Sequence, residues 1–265
     1  MDLKESNKEF TDIIHRHPWE LARFEFVMSL IKPYLEVNKN QHKSVLDIGC
    51  GDLFFLSKLS SRLIQTTFIG VDPALDSSFL HKNNEELKKR NIHLYQELAL
   101  VEMQEECKFV LLLDILEHIE EDSAFLTNLV NQPLISEKTI FIITVPAFQT
   151  LFCSHDRFLQ HFRRYNNLSI MAVAEASGLE IISHGYFFFS LLIPRIITVF
   201  AEKSFKPKYS EDLKSQMNKW NNNKYLTTLM KMVLVLDFKI ARGLRLLGLN
   251  IVGLSNFVIC KKRVL

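Results

Sequence analysis

The chain has little glycine and cysteine: 8 Gly and 4 Cys among 265 residues. The cysteines, at 50, 107, 153 and 260, form no C-x-x-C pair, which excludes the paired-thiolate metal and redox motifs. Nothing after Met1 resembles a signal peptide, so a reducing cytosol is the expected compartment. The greasiest stretch, Tyr186 to Phe200, is broken by Pro194 and Arg195 and falls short of the roughly 18–20 residues that a bilayer-spanning helix needs. There is no internal repeat and no low-complexity tract. Hydrophobic content of 48% is ample for a core, and the length leaves room for one large α/β domain plus an insertion.

Two of the scarce glycines stand together in Ser44-Val45-Leu46-Asp47-Ile48-Gly49-Cys50-Gly51-Asp52. An apolar run ending in Asp-x-Gly-x-Gly reads as a buried strand that turns sharply into a helix, where the backbone can approach a ligand closely. The next apolar run, Thr67 to Asp72, ends in an acid 21 positions after Gly51, about the spacing that sets a carboxylate on ribose hydroxyls. The nicotinamide fingerprint G-x-G-x-x-G needs a third glycine, and position 54 is Phe, which argues against a dinucleotide.

Asp47-x-Gly49-x-Gly51 followed by Asp72 resembles motif I and the ribose acid of class I S-adenosylmethionine-dependent methyltransferases. Many members carry a third glycine where this chain has Leu53. The resemblance implies that Asp47, Gly49, Gly51, Asp72 and Asp114 hold S-adenosylmethionine, with Glu97 and Leu98 near the adenine.

Around that motif the chain alternates strand and helix. A helix is expected over Glu20 to Leu35, with Leu21, Phe24, Val27, Met28 and Ile31 at helical spacing, lying over the cofactor mouth. Helices are read at Phe54 to Leu63, about 77 to 90, Asp122 to Asn131 and Leu168 to Ser177. Parallel strands are read at 44–48, 67–72, Ile92 to Tyr95, Phe109 to Leu113 and Thr139 to Val145. Leu179 to Phe188 and Leu254 to Lys261 remain, and are expected to pair as an antiparallel hairpin. The methyltransferase fold ends its sheet in this way. The expected fold is therefore an α/β, Rossmann-like seven-stranded sheet, its last strand antiparallel, with a helical insertion between the last two strands. Its parts are an N-terminal helical lid (1–43), the α/β domain (44–188), the insertion (189–252) and a final strand (253–265).

After the fourth strand, Asp114, Glu117 and His118 stand at i, i+3 and i+4, so one helical turn would bring two carboxylates and an imidazole together. They suit a divalent cation, or else the acids cap the following helix while His118 packs on the cofactor. The Leu-Glu-His segment at 116–118 is similar to that of small-molecule methyltransferases, including those that O-methylate the polyprenylated catechols of ubiquinone biosynthesis. There an acid followed by Glu-His is assigned to a metal such as Mg, the acid commonly being Glu. That assignment maps onto Asp114, Glu117 and His118.

Residues 147–165 hold two His, one Asp, three Arg and several aromatics between a strand and a helix, a concentrated functional loop. Phe148 and Phe152 offer walls for a flat or lipidic acceptor beside Arg164 and Tyr165. His155, His161 and His118 are the candidates to take a proton. In the alternative reading the loop is a latch, with Asp156 paired to Arg163 or Arg164. The loop also looks like that of a bacterial methyltransferase subgroup with a His-Asp and His-x-Arg-Arg-Tyr signature and a hydrophobic C-terminal extension. Near the N-terminus Trp19, Arg16 and Arg23 either close over the cofactor, an arginine meeting its methionine carboxylate, or simply start the helix.

Charge is divided unevenly. Residues 181–265 carry 14 Lys and Arg against 4 Asp and Glu, leaving residues 1–180 at a net −8. Glu202 to Asn223 is polar and reads as a mobile connector. Lys224 to Leu247 reads as a basic amphipathic helix, with Lys224, Lys231, Lys239, Arg242 and Arg245 on one stripe and Leu229, Val233, Leu236, Ile240, Leu244 and Leu247 opposite. Its apolar face either packs on the core or on a second subunit of a homodimer, or docks at an anionic membrane surface or covers a greasy substrate channel. The expected activity is O-methylation of a phenolic or catechol hydroxyl on a lipophilic small molecule, in the cytoplasm or peripherally on the inner face of its membrane. C-methylation of an aryl ring or lipid head group, and a non-catalytic cofactor-binding role in an assembly, stay open. Nucleic acid is not an expected partner, because the basic residues lie on a greasy helix without interleaved stacking aromatics and no Asn/Asp-Pro-Pro-Tyr/Phe motif follows the fourth strand.

Overall fold

The computed structural model describes residues 16–35, 43–63, 65–75, 85–101, 106–205 and 223–264. Seven strands, β1 (Lys43–Ile48), β2 (Thr66–Val71), β3 (Ile92–Tyr95), β4 (Phe109–Leu113), β5 (Ile140–Pro146), β6 (Leu179–Phe187) and β7 (Ser255–Lys262), form one sheet in the order β3-β2-β1-β4-β5-β7-β6. The first five are parallel, and β7 runs antiparallel to both β5 and β6. The expected sheet, its reversed last strand and the helical insertion between β6 and β7 are all present.

Because successive side chains of a strand point to opposite faces, each central strand feeds two cores. Val45, Phe109, Leu111 and Ile142 pack on one side with α1 (Pro18–Leu35) and α2 (Phe54–Ser60). Leu46, Val110, Leu112 and Phe141 pack on the other with α3 (Asp122–Val130). Two-sided burial explains why β4 reads as an unbroken apolar run. Helix α4 (Ser154–Phe158) is a single turn inside the 147–165 loop, and α5 (Asn167–Ala176) starts at an Asn166 cap and stops at Gly178. All four cysteines are buried and free.

Helix α1 is wedged into the first core. Phe24, Phe26 and Val27 are buried, and Phe26 stacks on Phe187 at 4.0 Å between ring centroids. The insertion holds α6 (Leu192–Phe205) and α7 (Lys224–Leu246). Glu202 to Phe205 belong to α6, so the start of the expected connector is helix. Its remainder, 206–222, lies outside the described residues, as do residues 77–84 of the helix expected at about 77–90 and residues 1–15 of the N-terminal region. Helix α7 leans on α1 through Leu234, Phe238 and Ala241. Its expected apolar stripe is not the packing face: Leu229, Val233, Leu236 and Ile240 remain exposed.

Candidate functional site

The carboxyl ends of β1, β2 and β4 surround a cavity of about 440 Å³. At the end of β1 the chain reverses through Gly49 (φ 71°) and Gly51 (φ 54°), and a Cβ at Gly49 would collide with Ile115. Leu53 keeps the same left-handed conformation (φ 61°), which costs roughly 1–2 kcal/mol in a non-glycine residue. Its side chain is fully buried, and that burial, about 1.5–3 kcal/mol for a leucine, offsets the cost. The turn with one glycine fewer is thus still formed.

Asp72 follows β2 and accepts from the Gly51 and Ala74 amides, at 2.9 Å each. Its carboxylate ties the two strand ends into one wall. Glu97 and Leu98, just after β3, line the same cavity, together with Gly49, Asp114 and His118. Gln96, Ile115, Ile119 and Phe125 join them and were not singled out from sequence. The three apolar residues are spread over the β4 turn and the start of α3, so no single period marks them.

Asp47 does not line this cavity. It is buried beside a smaller hollow of about 30 Å³, with Arg16, Glu20, Arg23, Cys50 and Asp52. Burial pushes its carboxyl up to about 7. Arg16, fully buried, pairs with Asp52 and reaches Glu20 at 3.5 Å. Arg23 pairs with Asp114 and lies over the Trp19 ring at 4.7 Å. Both arginines therefore sit at the strand ends, each on a carboxylate.

The Asp114, Glu117 and His118 trio expected to hold a metal does not converge. Asp114, at φ 59°, gives one oxygen to Arg23 and accepts from the Thr144 hydroxyl with the other at 3.0 Å. Among the described residues the group whose ligand atoms gather, within 4.8 Å of one another, is Glu117, His118 and His161. The segment 116–118 is a tight 3-10 turn, and that replaces the i, i+3, i+4 alignment of an α-helix with a different convergence. Glu117 is 1% exposed and its Oε2 has no hydrogen-bond partner. Burial, reinforced by Asp114, holds its carboxyl well above the usual range.

The 147–165 loop is organised by one carboxylate. Asp156, fully buried, accepts from the Cys153 amide at 2.9 Å and Arg164 Nε at 2.7 Å, and from Arg195 Nη2, on α6, at 2.9 Å. His161 Nδ1 lies 3.1 Å away. Burial alone would raise its pKa, but His161 and Arg164 outweigh that and hold it well below the usual carboxylate range. The latch reading of Asp156 with Arg164 is what forms. Arg163 goes instead to Asp122, at 3.0 Å.

Arg164 and Tyr165, expected on the acceptor, are spent inside the protein. Arg164 also donates to the Ala147 carbonyl at 3.1 Å, and the buried Tyr165 hydroxyl donates to Asp122 at 2.7 Å. Phe148 stacks on Tyr186 at 5.2 Å, and Phe152 is half-buried. His155 stands apart from the cavity, and burial with the adjacent Arg195 lowers its pKa to about 4. His161, with Nδ1 toward Asp156, stands edge-on to His118 at 4.6 Å between centroids. A line from Asp156 through His161 to His118 thus ends at the cavity wall.

No curated protein sequence matches the chain. Solved structures share its fold. A putative sarcosine dimethylglycine methyltransferase from Galdieria sulphuraria is 12% identical, with 92% of this chain and 86% of that one covered and a TM-score of 0.57. The plantazolicin methyltransferase BamL, solved with a triazolic desmethylPZN analog and SAH, is 13% identical over 93% and 86%, at 0.55. The methyltransferase domain of bacterial CtHen1-C is 14% identical over 92% and 99%, at 0.52. A family model described as a methyltransferase domain matches residues 19–184, from α1 into β6. With more than half of its length so matched, the chain belongs to the methyltransferase domain family and is an S-adenosylmethionine-dependent methyltransferase.

Proposed function

We propose that the chain methylates a phenolic or catechol hydroxyl of a lipophilic small molecule. The observation that carries this reading is the line from Asp156 through His161 to His118 at the wall of the 440 Å³ cavity. Methyl transfer from a sulfonium is an in-line displacement, so the protein must align two reactants and remove a proton. The residues fit S-adenosylmethionine: a glycine turn that a Cβ would fill, an acid on the next strand, and an apolar wall of Leu98, Ile115 and Phe125. When bound, the cofactor supplies an electrophilic methyl.

Asp72 is the acid for the ribose hydroxyls, Glu97 and Leu98 flank the adenine, and Arg16 and Arg23 stand toward the methionine end. His118, which faces the cavity, takes the acceptor proton. His161 is a positioning residue behind it, its tautomer set by Asp156. Phe148 and Phe152 border the approach of the acceptor. A divalent cation, if the enzyme uses one, takes Glu117, His118 and His161 as its donor set, since Asp114 is committed to Arg23. Full activity after exhaustive chelation would remove it.

The test is to incubate the enzyme with S-adenosylmethionine and a panel of lipophilic phenols and catechols, reading products by mass spectrometry and NMR. O-methyl ethers are expected, and His118→Ala should slow their formation about 10²–10⁴-fold. Methylation only at ring carbon would overturn the O-methyl reading.

A further inference from the structure

Both helices of the insertion are fixed by polar anchors on their inward sides, α7 by Asp237 beside the buried Leu234, Phe238 and Ala241. On α6, Arg195 reaches Asp156, and Glu202 accepts from the Ser154 amide and hydroxyl at 2.9 Å each. On α7, the buried Asp237 accepts from the Phe189 and Ser190 amides at 3.1 and 2.7 Å, holding the turn from which α6 starts. The apolar sides point out: Ile197 and Phe200 on α6 are 62% and 70% exposed, and Met232 and Leu236 on α7 are 63% and 58% exposed. An amphipathic helix that packs on its own domain normally does the reverse. Exposed apolar stripes of this extent mark a docking surface.

We infer that the outward stripes of α6 and α7 seat this chain on the surface of an anionic lipid bilayer. Charge selects that occupant. The segment from 181 to 265 carries a net +10, and Lys224, Lys239 and Arg242 are exposed along one flank of the α7 stripe. A second copy would bring two such basic surfaces together, whereas phosphate headgroups neutralise them. None of the described helices is long and apolar enough to cross a membrane, so the seating is in the interface plane. The same arginine that mounts α6, Arg195, bonds the carboxylate that organises the 147–165 loop, so the docking helices and the candidate site share Asp156. The inference does not depend on which acceptor is methylated.

The full chain is to be floated with vesicles of phosphatidylcholine alone and of phosphatidylcholine mixed with phosphatidylglycerol. Partition into the anionic vesicles only, weakened at high salt, is expected. Lys239→Glu with Arg242→Glu should lower it about tenfold or more, at about 1 kcal/mol for each basic residue lost near the surface. Phe200→Ser with Leu236→Ser should lower it comparably, while titration with S-adenosylhomocysteine shows that either variant keeps the wild-type cofactor affinity, since none of these residues lines the cofactor cavity. Folded protein that ignores anionic vesicles, or binds neutral and anionic ones alike, overturns the inference. So does a homodimer in sedimentation velocity that the Phe200→Ser and Leu236→Ser pair dissolves, because a second copy then covers the stripes.

Discussion

Helices α1 and α7 lie against each other and treat their side chains in opposite ways. In α1, Phe24, Phe26 and Val27 are buried with Leu21 and Ile31, and Arg23, like Arg16 just ahead of the helix, is drawn in to meet a carboxylate at the strand ends. In α7 the buried set includes Thr227 and Asp237, while Leu229, Met232, Val233 and Leu236 are left in solvent. Both helices are rich in apolar residues, so composition does not distinguish them. What differs is the second surface each one meets. Helix α1 is enclosed by the sheet, α2 and α7, whereas α7 is covered on one side only, by contacts of Leu234, Phe238 and Ala241, and carries a second set of apolar residues on the other. The first arrangement closes the helix into the core beside the strand ends; the second leaves an apolar face in solvent.

The comparison is broken most directly by truncating one large apolar side chain on each helix. Phe24→Ala should cost about 3–5 kcal/mol in urea unfolding, as buried aromatics do. Leu236→Ala should change stability by no more than about 0.5 kcal/mol. A large loss from Leu236→Ala would mean that the α7 stripe is part of the core.

Next in size is the carboxylate shared by loop and insertion. Asp156→Ala leaves Arg164 and Arg195 without their buried partner, which typically costs about 3–5 kcal/mol. Since Arg195 belongs to α6, hydrogen exchange in the variant should rise both in 147–165 and in α6. Protection lost in the loop alone would separate the two regions.

A smaller effect concerns pH. His155 has a folded pKa of about 4, below its ordinary 6.5, because burial and then Arg195 disfavour its charged form. The unfolded chain then binds more protons between those values, so this group's contribution to stability falls as pH drops from 6.5 to 4. His155→Asn should flatten that part of the profile relative to wild type, read from urea midpoints at pH 7 and pH 5. Parallel profiles for the two proteins would show that His155 is not held neutral.

Much of the sheet was legible because buried parallel strands are unbroken apolar runs with distinctive ends: Phe109–Leu113 stops at Asp114, and the run read as Thr139 to Val145 is the strand Ile140–Pro146, which ends on its proline. The glycine turn was legible through Gly49, Gly51 and Asp72, whose spacing follows directly from strand and turn geometry. Asp156 could be matched to a nearby arginine, but not to Arg195, 39 residues away on a helix whose docking no local pattern encodes. The Glu117, His118 and His161 cluster needed the loop to fold back, which it does through the Phe162 amide bonding the Glu117 carbonyl at 2.7 Å. Periodicity found the apolar stripe of α7 and could not say which way it faced. That choice is made by Asp237 and Phe238, which commit the opposite side to the 189–191 turn and to Phe26.

The most direct measurement is isothermal titration of the purified chain with S-adenosylmethionine and S-adenosylhomocysteine, beside Asp72→Ala. Micromolar binding by the wild type and none by the folded variant is the expected result, since Asp72 both joins the strand ends and faces the cavity. Equal affinity in the two proteins would contradict the placement of the cofactor between Gly49 and Asp72.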